Sequence, residues 1–403
     1  MSTILACAAL AAVTVAQDSG DTRNSWTVSA DVVYTAAGEP IEGGLVTVSD
    51  GKIRSVSKGD GGQLECYAVT PGLIDLSARI ERDWNSVEQS NEVTPQMRVA
   101  DALDWFDESW KREARGGITT VMVNFNDRNV VGGMSVVVKT AGESAKSRTV
   151  KADAVLYGAI GSAPSSNNHP AFGRPDDFYS RRPTTRMGVE WEWRKALYDA
   201  AAAKKDKTRA VAGTSELQKA LAGEFPLMIQ AWTTQDIRTA VFLKEEMERE
   251  GFGSPRLVVD AAAEAWREPD LLVRSKTAVV LPPFTSLGRT GDNSFFAWDT
   301  AALLHARGIV VALSGHGSRE PSQGLAYQPG YAMRGGMTFD AALAAVTIQP
   351  ARIVGIDART GSLEAGKDAD LVLWSGKPFE PTSAVIGVLV DGRLVLDPRT
   401  STK

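Results

Sequence analysis

Histidine is scarce in this chain. Three imidazoles, His169, His305 and His316, are spread over 403 residues, and only His316 ends a strand-like run, so a two-metal centre built mainly from histidine ligands cannot be assembled. Cysteine is scarcer still, with Cys7 and Cys66 the only two, so neither a disulfide framework nor a thiolate metal cluster can form. The net charge is −5 and Lys and Arg form no cluster, which excludes the basic footprint of a nucleic-acid-binding protein. No apolar run reaches the ~20 residues that a spanning helix needs. What is present is an ordinary globular composition, 43% hydrophobic and 23% charged, with length for one large domain and one small one.

The first twenty residues read differently from the rest. An apolar run from Ile4 to Ala16 gives way to Gln17, Asp18, Ser19 and Gly20. It suits a secretory leader, residues 1–16, with cleavage near Ala16 and export to the periplasm or the outside. No Lys or Arg precedes the run, and the other reading is an N-terminal core helix. Ile4-Leu5-Ala6-Cys7 has the form of a lipoprotein cleavage box, but it lies very near the first residue. With Cys7 in the leader, Cys66 is left alone as a small buried hydrophobe.

Both ends of the remaining chain are β-rich. Residues 26–59 alternate apolar and polar side chains, and Asp50-Gly51 reads as a two-residue hairpin turn. Near the other end a second hairpin falls at Asp391-Gly392. One small sheet domain assembled from 24–70 and 356–398 follows. Between them, over 71–355, eight short apolar runs alternate with helical stretches. The runs are GLIDL (72–76), TTVMVN (119–124), MSVVVK (134–139), AVLYGA (154–159), PLMIQA (226–231), RLVVD (256–260), TAVVLPP (277–283) and IVVALSG (309–315). Continuous rather than alternating apolarity predicts strands buried on both faces of a parallel sheet. The helical stretches are 96–115, 188–203, 234–250, 261–274 and 297–307, with Thr234 a start signal and Gly308 a stop signal. The α/β pattern predicts a TIM-like (β/α)8 barrel. A doubly wound sheet is the rival, but no Gly-rich phosphate loop follows an early strand. AKKDKTR (203–209) reads as a solvated loop.

Three stretches carry a family resemblance. Val69-Thr70-Pro71-Gly72-Leu73-Ile74-Asp75, then REARGGITTVMVN with VVGGMSVVVK, and finally residues 361–395 resemble the metal-dependent amidohydrolases, the imidazolonepropionase-like branch in particular. The resemblance implies a barrel with metal, usually zinc, at its C-terminal mouth and a β-sandwich from both chain ends beside it. It also implies hydrolysis of non-peptide C–N bonds, often in cyclic amides, by a metal-bound hydroxide. The family's first strand ends in His-x-His, where this chain has Ser77 and Arg79. Gln230 and Trp232 stand where relatives of this branch carry histidines, and Asp260 with Ala261 ends another strand without an imidazole. The family's last strand ends in an aspartate, and His316 lies there or one step away.

Zinc needs about three protein N, S or O donors fixed around it. Trp232 and Ala261 cannot coordinate, Ser77 and Gln230 are poor ligands, and Arg79 stays charged and would repel a divalent ion. The sequence therefore predicts no cofactor and a pocket lined by Ser77, Arg79, Gln230, Trp232 and Ala261. Asp260 would pair with Arg79, one cation replacing another. His316 reads either as a general base or, more simply, as a loop histidine bonded to its neighbours. Ser77, His316 and Asp260 could also form a nucleophile triad, though no G-x-S-x-G motif surrounds Ser77. Lys139 has nothing to bridge and reads as a lysine snorkelling at a strand end. Asp75 reads as part of a structural turn. Trp191, Trp193 and Trp266 read as helix packing rather than rim. The expected protein is a metal-free pseudoenzyme that binds a small ligand, anionic if Arg79 faces it, or a partner. The partner could be a second copy or an active paralogue. The alternative is an active C–N hydrolase using His316 and a carboxylate.

Overall fold

Two turns of one kind shape the chain ends. Asp50 and Gly51 take φ of 55° and 74°, and Asp391 and Gly392 take 48° and 73°. Positive φ at both central residues is the hairpin geometry that matches strand twist, and Asp-Gly is its usual sequence. A computed structural model describes residues 25–78, 88, 90–166, 182–284, 292, 294–316 and 324–400. The expected leader, Cys7, Arg79 and His169 lie outside these residues.

The strands in chain order are β1 (Trp26–Val33), β2 (Ile41–Ser49), β3 (Lys52–Lys58), β4 (Leu64–Pro71), β5 (Leu73–Ala78), β6 (Ile118–Val123), β7 (Val131–Met134), β8 (Val136–Lys139) and β9 (Thr149–Lys151). They continue as β10 (Leu156–Ala159), β11 (Leu227–Gln230), β12 (Leu257–Asp260), β13 (Ala278–Leu281), β14 (Val311–Leu313), β15 (Leu371–Trp374), β16 (Val385–Val390) and β17 (Arg393–Leu396). Strands from both ends of the chain make one seven-stranded sheet in the order β17-β16-β15-β4-β1-β2-β3. The sheet curls, because Ile53 N donates to Lys367 O at 3.0 Å and Gly366 N to Ile53 O at 2.8 Å. Its concave side encloses Trp26, Val28, Val46, Ile53, Leu371 and Leu389. Cys66 is half-buried on β4 rather than enclosed, and burial pushes its thiol up to about 12.

The middle of the chain follows the expected parallel pattern with one exception. β10 to β14 lie parallel in sequence order, and β5 lies parallel to β6. Their side chains are buried almost without interruption, as continuous apolar runs require. The exception is MSVVVK. It breaks at Ser135 into β7 and β8, which run antiparallel to β10 and β6 in two different sheets. Between β14 and β5 the backbone of 345–346 intervenes: Leu313 N donates to Ala345 O at 2.9 Å and Ile74 N to Val346 O at 2.8 Å.

Helices Arg186–Lys205 and Thr234–Arg249 match their expected spans closely. The cap of the second is Thr233, whose side chain accepts from Asp236 N, and not Thr234. The stretches 96–115 and 261–274 hold shorter helices, Ser109–Arg115 and Pro269–Ser275, each preceded by a 3-10 turn. Helix Arg186–Lys205 consumes the start of the AKKDKTR segment, whose exposed remainder forms a further 3-10 turn. Trp193 is fully buried and donates its indole N–H to Ala159 O at 3.1 Å, as packing requires, whereas Trp191 is exposed.

One buried ion cluster joins the middle to the curled sheet. Lys139, at the end of β8, is 0% exposed and meets Asp370, Asp368 at 3.2 Å and Asp391 at 3.5 Å. It is not a snorkelling lysine. Lys52 and Arg359 add cations at Asp368, so three positive groups face three negative ones. Burial would lower the Lys139 pKa, but its three carboxylate neighbours outweigh that and raise it. Burial and the neighbouring Asp370 push Asp391 up to about 6, against the attraction of Lys139.

Candidate functional site

The C-terminal ends of β5, β11 and β12 meet near the loop after β14. Alternation along β5 sends Asp75 and Ser77 to one side, and both are buried. Gln230 and Asp260 end neighbouring strands in direct register. Ser77 Oγ lies 2.9 Å from Asp260 Oδ2 and 2.9 Å from His316 Nδ1. Tyr157 OH donates to Asp260 Oδ2 at 2.8 Å. Gln230 Nε2 reaches Tyr157 OH at 3.3 Å, and Trp232 Nε1 reaches Gln230 Oε1 at 3.3 Å. The Trp232 and His316 rings meet edge to face with centroids 5.4 Å apart.

A carboxylate only accepts, so with Asp260 ionised the hydroxyls of both Ser77 and Tyr157 donate to it. The Ser77 oxygen then accepts from His316 in the tautomer that carries its proton on Nδ1. Gln230 donates to the Tyr157 oxygen and accepts from the Trp232 indole. Every bond in this series leads toward Asp260. Ser77 stands between Asp260 and His316, whereas in a Ser-His-Asp relay the histidine stands between the other two.

Backbone strain is concentrated here. Ala261, directly after β12, and His316, three residues after β14, take φ of 53° and 49°. Left-handed conformation costs such residues ~1–2 kcal/mol each, and strain of this kind collects at functional sites. Asp75 helps to hold the His316 turn. It accepts Ser314 Oγ at 2.6 Å, Gly315 N at 2.9 Å and Ser77 N at 2.9 Å. Ser314 Oγ in turn accepts His316 N at 2.8 Å. Burial raises the Asp75 pKa despite these bonds. Asp75 is thus a β5 residue tying two strand ends together, not part of a turn.

Among the described residues the donor set falls short of the three protein ligands usual for a catalytic zinc. Among the described residues the pocket offers one imidazole, His316, and Asp260, whose Oδ2 already receives two hydroxyls. Asp75 is occupied by Ser314, Gly315 and Ser77. Ser77 and Gln230 are weak ligands for a transition metal. His305 is exposed on helix Thr300–Ala306. Elsewhere Asp368, Asp370 and Asp391 present oxygens within 4.8 Å of one another, but the Lys139 ammonium bridges all three.

Residues 275–395 match the family model described as "Amidohydrolase family". A crystal structure of an amidohydrolase from Thermotoga maritima MSB8 superposes with a TM-score of 0.81 at 27% identity, covering 92% of this chain and 99% of that one. Together these matches are a likeness to the amidohydrolase superfamily in sequence and fold. It is also 23% identical over 400 residues to amidohydrolase tasK of Hapsidospora irregularis, covering 89% of this chain but 39% of that one. It therefore spans about two fifths of that relative. A zinc-bound adenosine deaminase from Xanthomonas campestris shares the fold at 17% identity, with a TM-score of 0.50 and 94% of both chains covered. The mixed α/β fold is that of amidohydrolase structures.

Of the seven pocket residues expected from sequence, Ser77, Asp260, Gln230, Trp232 and His316 form one network connected through Tyr157. Ala261 is buried against Trp232 in a small apolar cluster with Ala263. Arg79, and with it the expected Arg79–Asp260 pair, falls outside the described residues. Sequence reasoning missed Tyr157. Its signal was a lone hydroxylated aromatic inside the strand AVLYGA, where a buried phenol needs a polar partner.

Proposed function

We propose that this chain is a ligand-binding member of the superfamily that works without a catalytic metal. The reading places the pocket in a (β/α)8 barrel over 71–355, beside a β-rich domain assembled from 24–70 and 356–398. The parallel series β10 to β14 and the Asp75–Ser314 link between β5 and the end of β14 support the barrel. The observation that carries the metal-free reading is the Asp260 hydrogen-bond series. Within it the polar groups of Ser77, Tyr157, Gln230 and Trp232, one Asp260 oxygen and His316 Nδ1 are engaged with one another, where a metal site would keep its donors turned to an ion. Trp232 fills volume beside His316 in the same pocket.

The test is metal content. Protein purified without chelator, analysed by inductively coupled plasma mass spectrometry, should hold far less than stoichiometric zinc or manganese. Its melting temperature should not move on adding either ion or EDTA. Stoichiometric metal, lost to chelator together with hydrolysis of a cyclic amide, would overturn the proposal.

The 2.9 Å approach of Ser77 Oγ to both Asp260 and His316 favours a second reading, a C–N hydrolase using these side chains. Ser77 Oγ would attack the amide carbonyl as its proton passes to Asp260. The C–N bond would then break with proton return to nitrogen, and water would release the acyl group. Turnover of cyclic amides or acyl-dipeptides that vanishes in Ser77→Ala supports this reading. Absence of turnover in the unmodified protein counts against it.

A further inference from the structure

The opposite end of the parallel strands carries a second cavity, of about 740 Å³. It opens beside Leu257 and Ala278, the first residues of β12 and β13, and beside helix Ile348–Val354. Leu257 stands three residues before Asp260, so roughly 10 Å of strand separates this cavity from the network above. Its volume falls in the range of ~300–1,000 Å³ usual for small-ligand sites.

The lining is strongly one-signed. Lys244, Arg256, Arg274, Lys276 and Arg352 face a single acid, Glu248. Lys244 is paired with Glu248 at 2.9 Å and Arg274 with Glu245 at 3.0 Å. Arg256, Lys276 and Arg352 have no carboxylate within ion-pairing distance among the described residues. Arg256 is nevertheless held in place. Its Nε donates to Gly223 O at 2.9 Å and one terminal nitrogen to Glu224 O at 3.2 Å. Main-chain carbonyls orient this guanidinium without neutralising it, which prepares it for charge-assisted, forked recognition of an anion. Lys151 lies close by, with its ammonium on Val354 O at 2.7 Å. Burial first, and then the Arg256 charge, lower its pKa, so the positive field reaches beyond the cavity wall.

We propose that this cavity binds a small molecule through a diphosphate group. The Arg256, Lys276 and Arg352 charges match a compact group carrying two to three negative charges on closely spaced oxygens. The site is independent of the pocket at Asp260, so this proposal and the metal-free reading fail separately.

Calorimetric titration of the full chain with inorganic pyrophosphate, at constant ionic strength, tests it. Saturable binding at one site per chain is expected. Arg256→Ala and Arg352→Ala should each weaken it by about tenfold or more, since one hydrogen bond to a charged group is worth ~1.5–3 kcal/mol. Both variants change exposed side chains and should keep the parent melting temperature. Asp260→Asn, at the distant network, should leave pyrophosphate affinity unchanged. The proposal is overturned by absence of saturable binding, by affinity indifferent to both arginine substitutions, or by sulfate binding as tightly as pyrophosphate.

Discussion

Replacing Lys139 by Met should destabilise the fold strongly. The ammonium is fully buried and touches Asp368, Asp370 and Asp391, which come from the approach to β15 and the β16–β17 turn. Methionine keeps the volume and removes the charge. Lys52 and Arg359 still serve Asp368. Asp370 keeps the Thr360 hydroxyl at 2.7 Å and Asp391 N at 3.1 Å, but no cation among its described partners. Removing one partner of a buried ion pair costs about 3–5 kcal/mol because the other charge stays buried. The deficit depends on pH with a definite sign. Loss of the cation raises the carboxylate pKa values in the folded state. Such groups cost nothing while protonated in both states, and they destabilise the fold as pH rises through the folded pKa. The deficit should therefore be largest at about pH 8, where the unfolded carboxylates are ionised. It should shrink below the value of about 6 to which Asp391 is already pushed. Urea denaturation of both proteins at the two pH values measures it. A deficit under about 1 kcal/mol at the higher pH, the size of an exposed pair, would refute the reasoning. So would a deficit independent of pH.

Three further predictions concern separate parts of the molecule. Asp391→Asn removes a group whose pKa rises from 3.8 to about 6 on folding. Its loss should flatten the fall in stability between those pH values, read from melting temperatures across a pH series. Ser77→Ala removes one of two hydroxyl donors to Asp260 Oδ2. It should cost about 1–3 kcal/mol, because a buried carboxylate loses a partner, and equilibrium denaturation reads this directly. Gly51→Ala places a Cβ at φ of 74° and 2.9 Å from Asp391 O. Left-handed strain of ~1–2 kcal/mol plus that close approach should lower the unfolding midpoint, whereas Gly38→Ala, which meets nothing within 4 Å, should not.

Much of this was legible in the order of residues. The strands are local objects, written as short apolar runs, and their positions follow from burial on both faces. Asp50-Gly51 and Asp391-Gly392 announce their turns because few other pairs accept positive φ twice in succession. The scarcity of histidine, with the residues at 77, 230, 232 and 260 set against the resembled family, leads to the expectation of an altered site. Strands and turns are legible because each concerns one residue type or its immediate neighbours.

Tertiary structure decided which groups touch. Ser77, Asp260 and His316 are 183 and 239 residues apart along pairs that meet at 2.9 Å, and strand order alone brings them together. MSVVVK is as apolar as its neighbours, but the strand it pairs with, not its composition, makes it antiparallel. Lys139 ends that strand and reads locally as a surface lysine. It became the buried centre of an ion cluster because β8 lies against Asp368, Asp370 and Asp391 from the far end of the chain. Electrostatic partners are chosen across space, over a few ångströms, and sequence separation carries no information about that distance.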